Sequence, residues 1–540
     1  MIARAPLFWT RAVLDAPAHP GDVSARLAAS GIAHRYVASE ERPSLALGAP
    51  LSLRDAEAAR PERWPVRAQT MGSHPEATSA GTWFLRDGEG GVAVDRARCG
   101  DGAGMRLAVI DDDGLEAEAL DLDAEILVGL TERPRHSTHG ALMVAWASGA
   151  RGFAGVAPAA SRRLYLIPKP GRSMIGLPLA IAQAALDGAD VIVCATYVEG
   201  STSPMLDDAI EVAVRLGRGG RGAAVVLPTG REASSLPGSL HASFSLGLGE
   251  PASDPRVFCI APGARGEGWF FWRDRRGKLR PFANRGPAVR WLSPGDDIAY
   301  PFSAPGAPER FFHAESSGAS AIAAGVLLLV LAANPSLRLA DLAAVVDATI
   351  ARVAATPPDR ALLADPADAL PHVSDRDGHN AKHGYGRLHA ERACLAAADP
   401  LCAAWIAIGE DGAARAFAQE RRRGAVARAY SRRFARWAAR ALLADGEGRE
   451  ALRVIVRHLR LVARDEDRVR AHGDGAVARQ ARLVLRRLAA ARPRPGPRIR
   501  AELEGMDQRL AMIGQDPDRA ARFEQTLAAL VVRWLSDTRV

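Results

Sequence analysis

The sequence predicts an α/β fold: a parallel sheet flanked by helices, preceded by an N-terminal extension and followed by an all-α domain. Short apolar runs of strand length alternate with helical stretches through the middle of the chain. Strands that are buried on both faces read as continuous apolar runs and are joined through helices, so this alternation is typical of a parallel sheet. After Pro400 the strand signals end, and Arg- and Ala-rich segments with apolar residues at helical spacing take over.

Composition excludes several classes of protein. The chain has 540 residues, of which 48% are hydrophobic and 24% charged, so it can bury more than one core and is not disordered throughout. Its five cysteines are odd in number and scattered, which argues against a disulfide framework or a zinc site. Arg4, Pro6 and Arg11 interrupt the N-terminus, and no apolar run has the length of about 18 to 20 residues that a membrane span needs. We therefore expect a cytoplasmic protein that does not contact a membrane.

The first element that carries chemistry is a short apolar strand that ends at Asp111. The carboxyl end of a parallel strand is the usual position for a catalytic group. Asp112 and Asp113 follow directly, and they are either metal ligands, with calcium as the candidate, or a solvated turn. We expect no cofactor otherwise.

Two later segments each begin with polar residues and continue into small and apolar ones. The first opens with His136 and His139, and the second carries Ser317 and runs to Asn334. A helix N-terminus has unpaired N–H groups and partial positive charge, so a serine there is a candidate nucleophile. The alternative is a serine-rich cap on a core helix. Together with Asp111, these residues give the order Asp, His, Ser, which is one of the convergent orders of a catalytic triad.

These motifs resemble those of the subtilases, the subtilisin-like serine peptidases, over roughly residues 85–395. The strand ending at Asp111 resembles the family's aspartate strand, His139 with Gly140 its histidine helix, and Ser316 to Gly325 its serine signature. Further similar segments are residues 155–160, 282–286, 292–295 and 384–390. The resemblance implies a subtilisin-like sheet and a serine endopeptidase. Asp111 would orient His139, His139 would act as base, and Ser317 would form an acyl-enzyme.

The chain also departs from the family pattern. Glu315 and Ser316 stand where Gly-Thr precedes the nucleophile, and Ala321 replaces a proline. An acidic side chain there could raise the pKa of a neighbouring group or obstruct the substrate. Arg231 occupies the place of the oxyanion-hole asparagine, and the loss of one such donor typically costs about 10² to 10³ in rate. Arginine is itself a donor, so Arg231 is also a candidate oxyanion group.

The identity of the base is open between two histidines. His136 is the alternative base, because a His-x-Thr-His sequence also fits the family pattern. We favour His139, since Gly140 follows it directly, whereas alignment on His136 puts Leu142 where a small residue belongs. For either residue the non-catalytic interpretation is a solvated histidine at a helix start.

Between these motifs the sequence predicts a strand at residues 189–195, a helix at 203–216 and a strand at 223–227. Residues 195–199 resemble the family's substrate-pairing strand. Residues 257–262 and the basic aromatic stretch 269–278 predict an inserted hairpin. Nucleic-acid binding by its aromatic and basic side chains is the alternative to a half-buried hairpin, which we favour.

We divide the chain into an N-terminal extension (residues 1–84), a subtilisin-like domain (85–398) and a helical domain (399–540). The extension either packs on the core or acts like a propeptide, and we favour the first. Helices are predicted at residues 412–443, 449–464, 476–491 and 498–512, with a Pro-rich break at 492–498. The net charge of +8 and the pI near 9.6 are expected to concentrate there. A protein or nucleic-acid partner is the candidate ligand of these helices, although solvated arginine faces explain the charge more simply.

Two classes of function follow. The first is a serine endopeptidase that acts on peptide or protein substrates, and the presence of Asp111, His139 and Ser317 together favours it. The second is a catalytically impaired scaffold, in which Glu315 and Arg231 mark a degraded site and the basic helices bind a partner.

Overall fold

The computed structural model describes three short strands within residues 10–47, most of residues 80–398 and scattered residues of 402–418. Within the middle part, the longer stretches outside the described residues are 112–124, 129–137, 168–175, 196–203, 231–250, 302–310, 354–359 and 364–378. The helices predicted after residue 418 and the Pro-rich break at 492–498 also lie outside the described residues.

Strands were assigned as follows: β1 (Thr10–Val13), β2 (His34–Val37), β3 (Ser44–Leu47), β4 (Arg106–Asp111), β5 (Glu125–Val128), β6 (Ser161–Leu166), β7 (Val191–Cys194), β8 (Ala224–Pro228), β9 (Phe258–Gly263), β10 (Phe271–Arg273), β11 (Leu279–Pro281), β12 (Val289–Pro294), β13 (Ile298–Ala299) and β14 (Phe311–Phe312). The helices are α1 (Arg96–Cys99), α2 (His139–Ser148), α3 (Gly176–Leu186), α4 (Pro204–Gly220), α5 (Glu315–Ala333), α6 (Leu339–Thr349) and α7 (Ala390–Ala398).

Seven of the strands form one parallel sheet in the order β12-β9-β8-β7-β4-β6-β5. The strands β7, β8 and β9 are buried along their whole length, which explains their continuous apolar sequences. The predicted α/β fold with a parallel sheet and flanking helices is therefore confirmed. The predicted strand at 189–195, helix at 203–216 and strand at 223–227 correspond to β7, α4 and β8.

Smaller sheets accompany the main one. Strands β1, β3 and β2 form an antiparallel sheet within the N-terminal extension. The predicted hairpin was partly wrong, because residues 257–262 belong to β9, which pairs in parallel with β8 and β12. The hairpin is formed instead by β10 and β11. An apolar run flanked by turns gives no signal for its partner, so the sequence alone could not separate these two pairings.

Helices α3 and α4 share one hydrophobic cluster with a face of the sheet. That cluster contains Ala108 and Ile110 of β4, Ile192 and Cys194 of β7, and Ile210 of α4. These strand residues alternate, as the period of two along a strand requires. Helix α2 packs against β4 and β6, and none of its residues belongs to that cluster.

Helix α5 is apolar on all sides. Its residues from Gly318 to Leu331 are buried without exception, and the apolar part of the helix is long enough to cross a membrane by length and composition. Because most of it is buried within the fold, it has the character of a core helix. It is the one such helix among the described residues.

The chain separates into two compact units. The first comprises residues 1–332 with 350–390, and the second comprises residues 333–349 with 391–540. Within the second unit, Arg415 makes a bidentate ion pair with the buried Glu391 of α7, and each of its two hydrogen bonds is 2.8 Å long. Arg392 of the same helix pairs with Asp411. The domain boundaries at 84/85 and 398/399 stay predictions.

Candidate active site

The site lies where the order of strands in the sheet reverses. From β4 the chain continues to β5 and β6 on one side, and then to β7, β8, β9 and β12 on the other. The carboxyl ends of the strands at such a switch point leave a crevice in which ligands bind. Asp111 is the last residue of β4, and Ala195 directly follows the neighbouring β7. The N–H of Ala195 donates to the carbonyl of Ile110 at 3.0 Å, which holds the two strand ends side by side.

An acid and a histidine meet at this edge. The Oδ2 atom of Asp111 lies 2.7 Å from Nδ1 of His139; the carboxylate is fully buried, whereas 39% of the imidazole is exposed. An ionised carboxylate can only accept hydrogen bonds, so the proton of a neutral imidazole lies on Nδ1. The other ring nitrogen, Nε2, is then left as the basic atom. This is the arrangement that a general base requires.

Close packing of two helices brings the histidine and serine motifs together. His139 begins α2, whose remaining residues are all buried. A methyl group at Gly325 of α5 would lie 2.5 Å from the carbonyl oxygen of Ala147, and one at Gly318 would lie 3.0 Å from the ring of Trp146. Both contacted residues belong to α2. The small residues of the serine motif therefore allow α5 to approach the histidine helix closely.

Ser317 lies in the first turn of α5. Its hydroxyl donates to the carbonyl oxygen of Ala195 at 2.8 Å. A hydroxyl carries one proton, so it cannot donate to His139 while it makes this bond. The structure thus joins Asp111 to His139 and places Ser317 against the end of β7, which is the neighbour of β4 in the sheet. No feature of the sequence indicates that Ala195 accepts this hydrogen bond.

Glu315 adopts an unusual backbone conformation at the start of the same helix. Its φ is +55°, in the left-handed region, and its N–H donates to the carbonyl of Gly295 at 2.7 Å. A non-glycine residue pays about 1 kcal/mol for this conformation. The subtilase pattern has glycine at this position, so the presence of Glu315 in its place could have predicted a strained backbone. A side chain at Gly295 would collide with the carbonyl oxygen of Glu315, so the turn packs tightly on the end of β12.

A buried thiol lies next to Ala195. Burial raises the pKa of Cys194 well above its ordinary value, so the thiol stays neutral. Its side chain belongs to the hydrophobic cluster under α3 and α4. Cys194 therefore acts as a core residue rather than as a nucleophile.

Other predicted site residues lie outside the described residues: His136, Arg231, Asp112 and Asp113. The alternative base, the second oxyanion donor and the calcium ligands consequently stay predictions. Across the described part of the chain, no group of three or more His, Cys, Asp or Glu side chains is arranged to hold a metal ion.

The switch point of the parallel sheet thus brings together a buried acid, a partly exposed histidine and a serine at a helix start. No protein-family model and no curated protein matches the chain. Solved structures do match. MycP1 with its N-terminal propeptide removed has a TM-score of 0.38 and 20% sequence identity, over 54% of this chain and 92% of that one.

Two further structures are also proteases. The prenylagaramide maturation protease PagA matches with a TM-score of 0.36 and 21% identity, over 54% of this chain and 93% of that one. A protease of Pseudoalteromonas arctica matches with a TM-score of 0.40 and 19% identity, over 59% of this chain and 97% of that one. The strand order described above establishes the α/β architecture independently of these likenesses.

Proposed function

We propose that the protein is a serine endopeptidase that hydrolyses peptide bonds through an acyl-enzyme. The observation that carries this proposal is the 2.7 Å contact between the buried Asp111 and His139, at the sheet edge that Ser317 also contacts. A buried carboxylate that orients this imidazole contributes little to core packing, because 39% of the imidazole is exposed to solvent. The same pair is well suited to accept and return a proton.

In the proposed reaction, Nε2 of His139 takes the proton of the Ser317 hydroxyl as its oxygen attacks the peptide carbonyl carbon. Asp111 stabilises the imidazolium ion that results. The imidazolium then gives the proton to the leaving amine as the C–N bond breaks, which leaves an ester on Ser317. A water molecule then attacks the ester while His139 takes one of its protons. The C–O bond to Ser317 breaks, the carboxylic acid is released, and the proton returns to the serine oxygen.

The negative charge that develops on the carbonyl oxygen has to be stabilised by hydrogen-bond donors. The backbone N–H of Ser317 lies in the first turn of α5, where N–H groups are unpaired within the helix and the helix dipole is positive. We propose this N–H as one oxyanion donor and the Arg231 side chain as the second.

A second candidate function is a scaffold without peptidase activity. The hydrogen bond from Ser317 to Ala195 favours it, because the hydroxyl is engaged away from the base. The strained Glu315 beside the nucleophile favours it too. Against it, catalytic hydrogen bonds are often long or misaligned in a free enzyme and form only with substrate bound.

Labelling with an alkyl fluorophosphonate, followed by peptide mapping, separates the two candidates. We expect an adduct on Ser317 in the wild type, none in Ser317→Ala, and loss of the adduct in His139→Ala. His136→Ala is the matched histidine control and should still be labelled; the reverse pattern would make His136 the base. A folded wild-type protein that takes no label would exclude the peptidase and favour the scaffold.

A further inference from the structure

The carbonyl of Ala195 is an acceptor at the centre of the site. Ala195 is fully buried, and its own N–H is bonded to Ile110 of β4. Its carbonyl oxygen takes the Ser317 hydroxyl proton at 2.8 Å. One backbone group therefore holds the nucleophile in the free protein.

The reaction requires this bond to break. For His139 to receive the proton of Ser317, the hydroxyl must rotate away from Ala195. Among the described residues no other donor reaches this carbonyl, and an unsatisfied buried acceptor would disfavour the rotated state of Ser317 by about five- to hundred-fold. The free protein consequently favours the state in which Ser317 is not activated.

A donor that replaces the hydroxyl removes this penalty. Ala195 directly follows the last residue of β7, at the carboxyl ends of the strands where the crevice opens. A peptide that binds in this crevice can offer a backbone N–H to the Ala195 carbonyl, because main-chain hydrogen bonds are a general means of recognising extended peptides. A water molecule is the alternative donor.

We propose that the Ser317 hydroxyl and a backbone N–H of the peptide substrate take turns on the Ala195 carbonyl, so that peptide binding releases the nucleophile towards His139. This inference rests on the proposed peptidase function. It makes Ala195 a positioning residue that selects substrates with an N–H at one defined position. Peptides that are N-methylated at this position would activate the serine less than the matching unmethylated peptides do.

The test compares the peptide affinities of variants of the full-length protein. The ligand is a peptide with a reduced, non-hydrolysable bond at the reaction position, together with a series in which one backbone amide at a time is N-methylated. Affinity is measured by calorimetry for the wild type, Ser317→Ala and Ser320→Ala. Ser320 is the matched control, because it lies one turn further along α5 and its hydroxyl donates to Ser316 rather than to Ala195.

We expect the unmethylated peptide to bind Ser317→Ala about five-fold more tightly than the wild type, since the competing hydroxyl is gone. Methylation at one position should abolish this difference, and Ser320→Ala should bind like the wild type. Equal affinity of wild type and Ser317→Ala for every peptide would overturn the inference, as would the absence of measurable binding. If the fluorophosphonate labels Ser317 but wild type and Ser317→Ala bind the peptides equally well, the inference alone fails. If no label is taken up, the proposed function fails and the inference fails with it.

Discussion

The two ends of strands β4 and β7 use similar residue types for different purposes. At the amino ends, Arg106 begins β4 and Asp190 precedes β7. At the carboxyl ends, Asp111 finishes β4 and Ala195 follows β7. Each end holds a carboxylate that is buried or nearly so, with 0% of the Asp111 side chain and 14% of the Asp190 side chain exposed, and the difference lies in its partners.

At the amino end the charges satisfy one another. Asp190 accepts the backbone N–H of Arg106 at 2.9 Å and Nε of Arg218 at 3.2 Å, and the Arg218 side chain is only 4% exposed. Burial raises the pKa of Asp190, although the two arginines oppose this shift, and burial lowers the pKa of Arg218. Asp190 thus links the start of β4 to the C-terminal part of α4.

At the carboxyl end the partners can be exchanged. Asp111 contacts an imidazole, which can take up and release a proton, and Ala195 accepts a hydrogen bond from a hydroxyl that another donor can replace. A buried carboxylate in this sheet therefore indicates catalysis only where its partner is itself titratable and reaches solvent. The following variants test this distinction, in order of decreasing effect.

The largest effect is expected for Asp111→Asn. The amide has nearly the same shape, but it favours the wrong imidazole tautomer, so kcat should fall about 10⁴-fold. Peptidase assays on purified protein measure this loss. The matched control is Asp190→Asn at the opposite end of the sheet, which should alter stability and leave kcat within a few-fold. Equal losses of kcat in the two variants would contradict the functional division between the two edges.

Arg218→Met should destabilise the fold by about 3 kcal/mol at pH 7.5, because it leaves the Asp190 carboxylate buried without its cation. Since loss of Arg218 raises the pKa of Asp190 further, the folded state holds a proton more tightly than the unfolded state does. A carboxyl group with a raised pKa in the folded state stabilises the fold fully below its unfolded-state pKa. This stabilisation is lost as the pH rises through its folded-state pKa. The deficit should therefore shrink between pH 7.5 and pH 5, as measured by urea unfolding.

The control for this variant is Arg215→Met, on the same helix α4. Arg215 pairs with Glu211 on the surface, where its side chain is 66% exposed. Its loss should cost no more than about 0.5 kcal/mol and show little pH dependence of that cost. A pH-independent deficit in Arg218→Met would refute the assignment of the cost to Asp190.

Gly325→Ala should destabilise the fold by about 1 to 3 kcal/mol, because the new methyl group collides with the carbonyl of Ala147 and with Val156. It should also slow labelling of Ser317, since it separates α5 from α2. Gly412→Ala is the control, because a methyl group there meets nothing within 4 Å. Thermal unfolding and labelling rates measure both effects; an unchanged melting temperature in Gly325→Ala would argue against close helix contact.

The smallest effect is expected for Glu315→Gly. Glycine adopts the left-handed conformation without strain, so unfolding should cost about 0.5 kcal/mol more than in the wild type. Glu89→Gly is a matched control, because Glu89 also has a left-handed φ, of +47°, and lies on a different element. Denaturant titration measures both gains. Only Glu315→Gly should change the labelling rate of Ser317; a decrease in its stability would show that other contacts of Glu315 outweigh the strain.

Much of the architecture could be predicted from local sequence. The apolar runs at β7 and β8 and the helical period of α4 correspond closely to the observed elements. Asp111 at a strand end, and His139 and Ser317 at helix starts, are likewise properties of short segments. Each could be assigned because the residues that determine it are adjacent in the chain.

Features that depend on distant residues could not be predicted. The hydroxyl of Ser317 and the carbonyl of Ala195 are 122 positions apart in the chain, and only the packed fold brings them within a hydrogen bond. The pairing of Asp190 with Arg218, and the assignment of β9 to the main sheet, depend on the same long-range packing. Periodicity reports which side of a segment is buried, and it carries no information about the partner.

The apolar surface of α5 has a consequence for how the protein is made. While the chain is being synthesised, a 19-residue helix of this composition has the length of a membrane-spanning segment. The histidine helix α2, against which Gly318 and Gly325 pack, is translated well before it. A chain in which α2 has not yet folded would leave this side of α5 without the partner that buries it, and so would expose a long apolar surface.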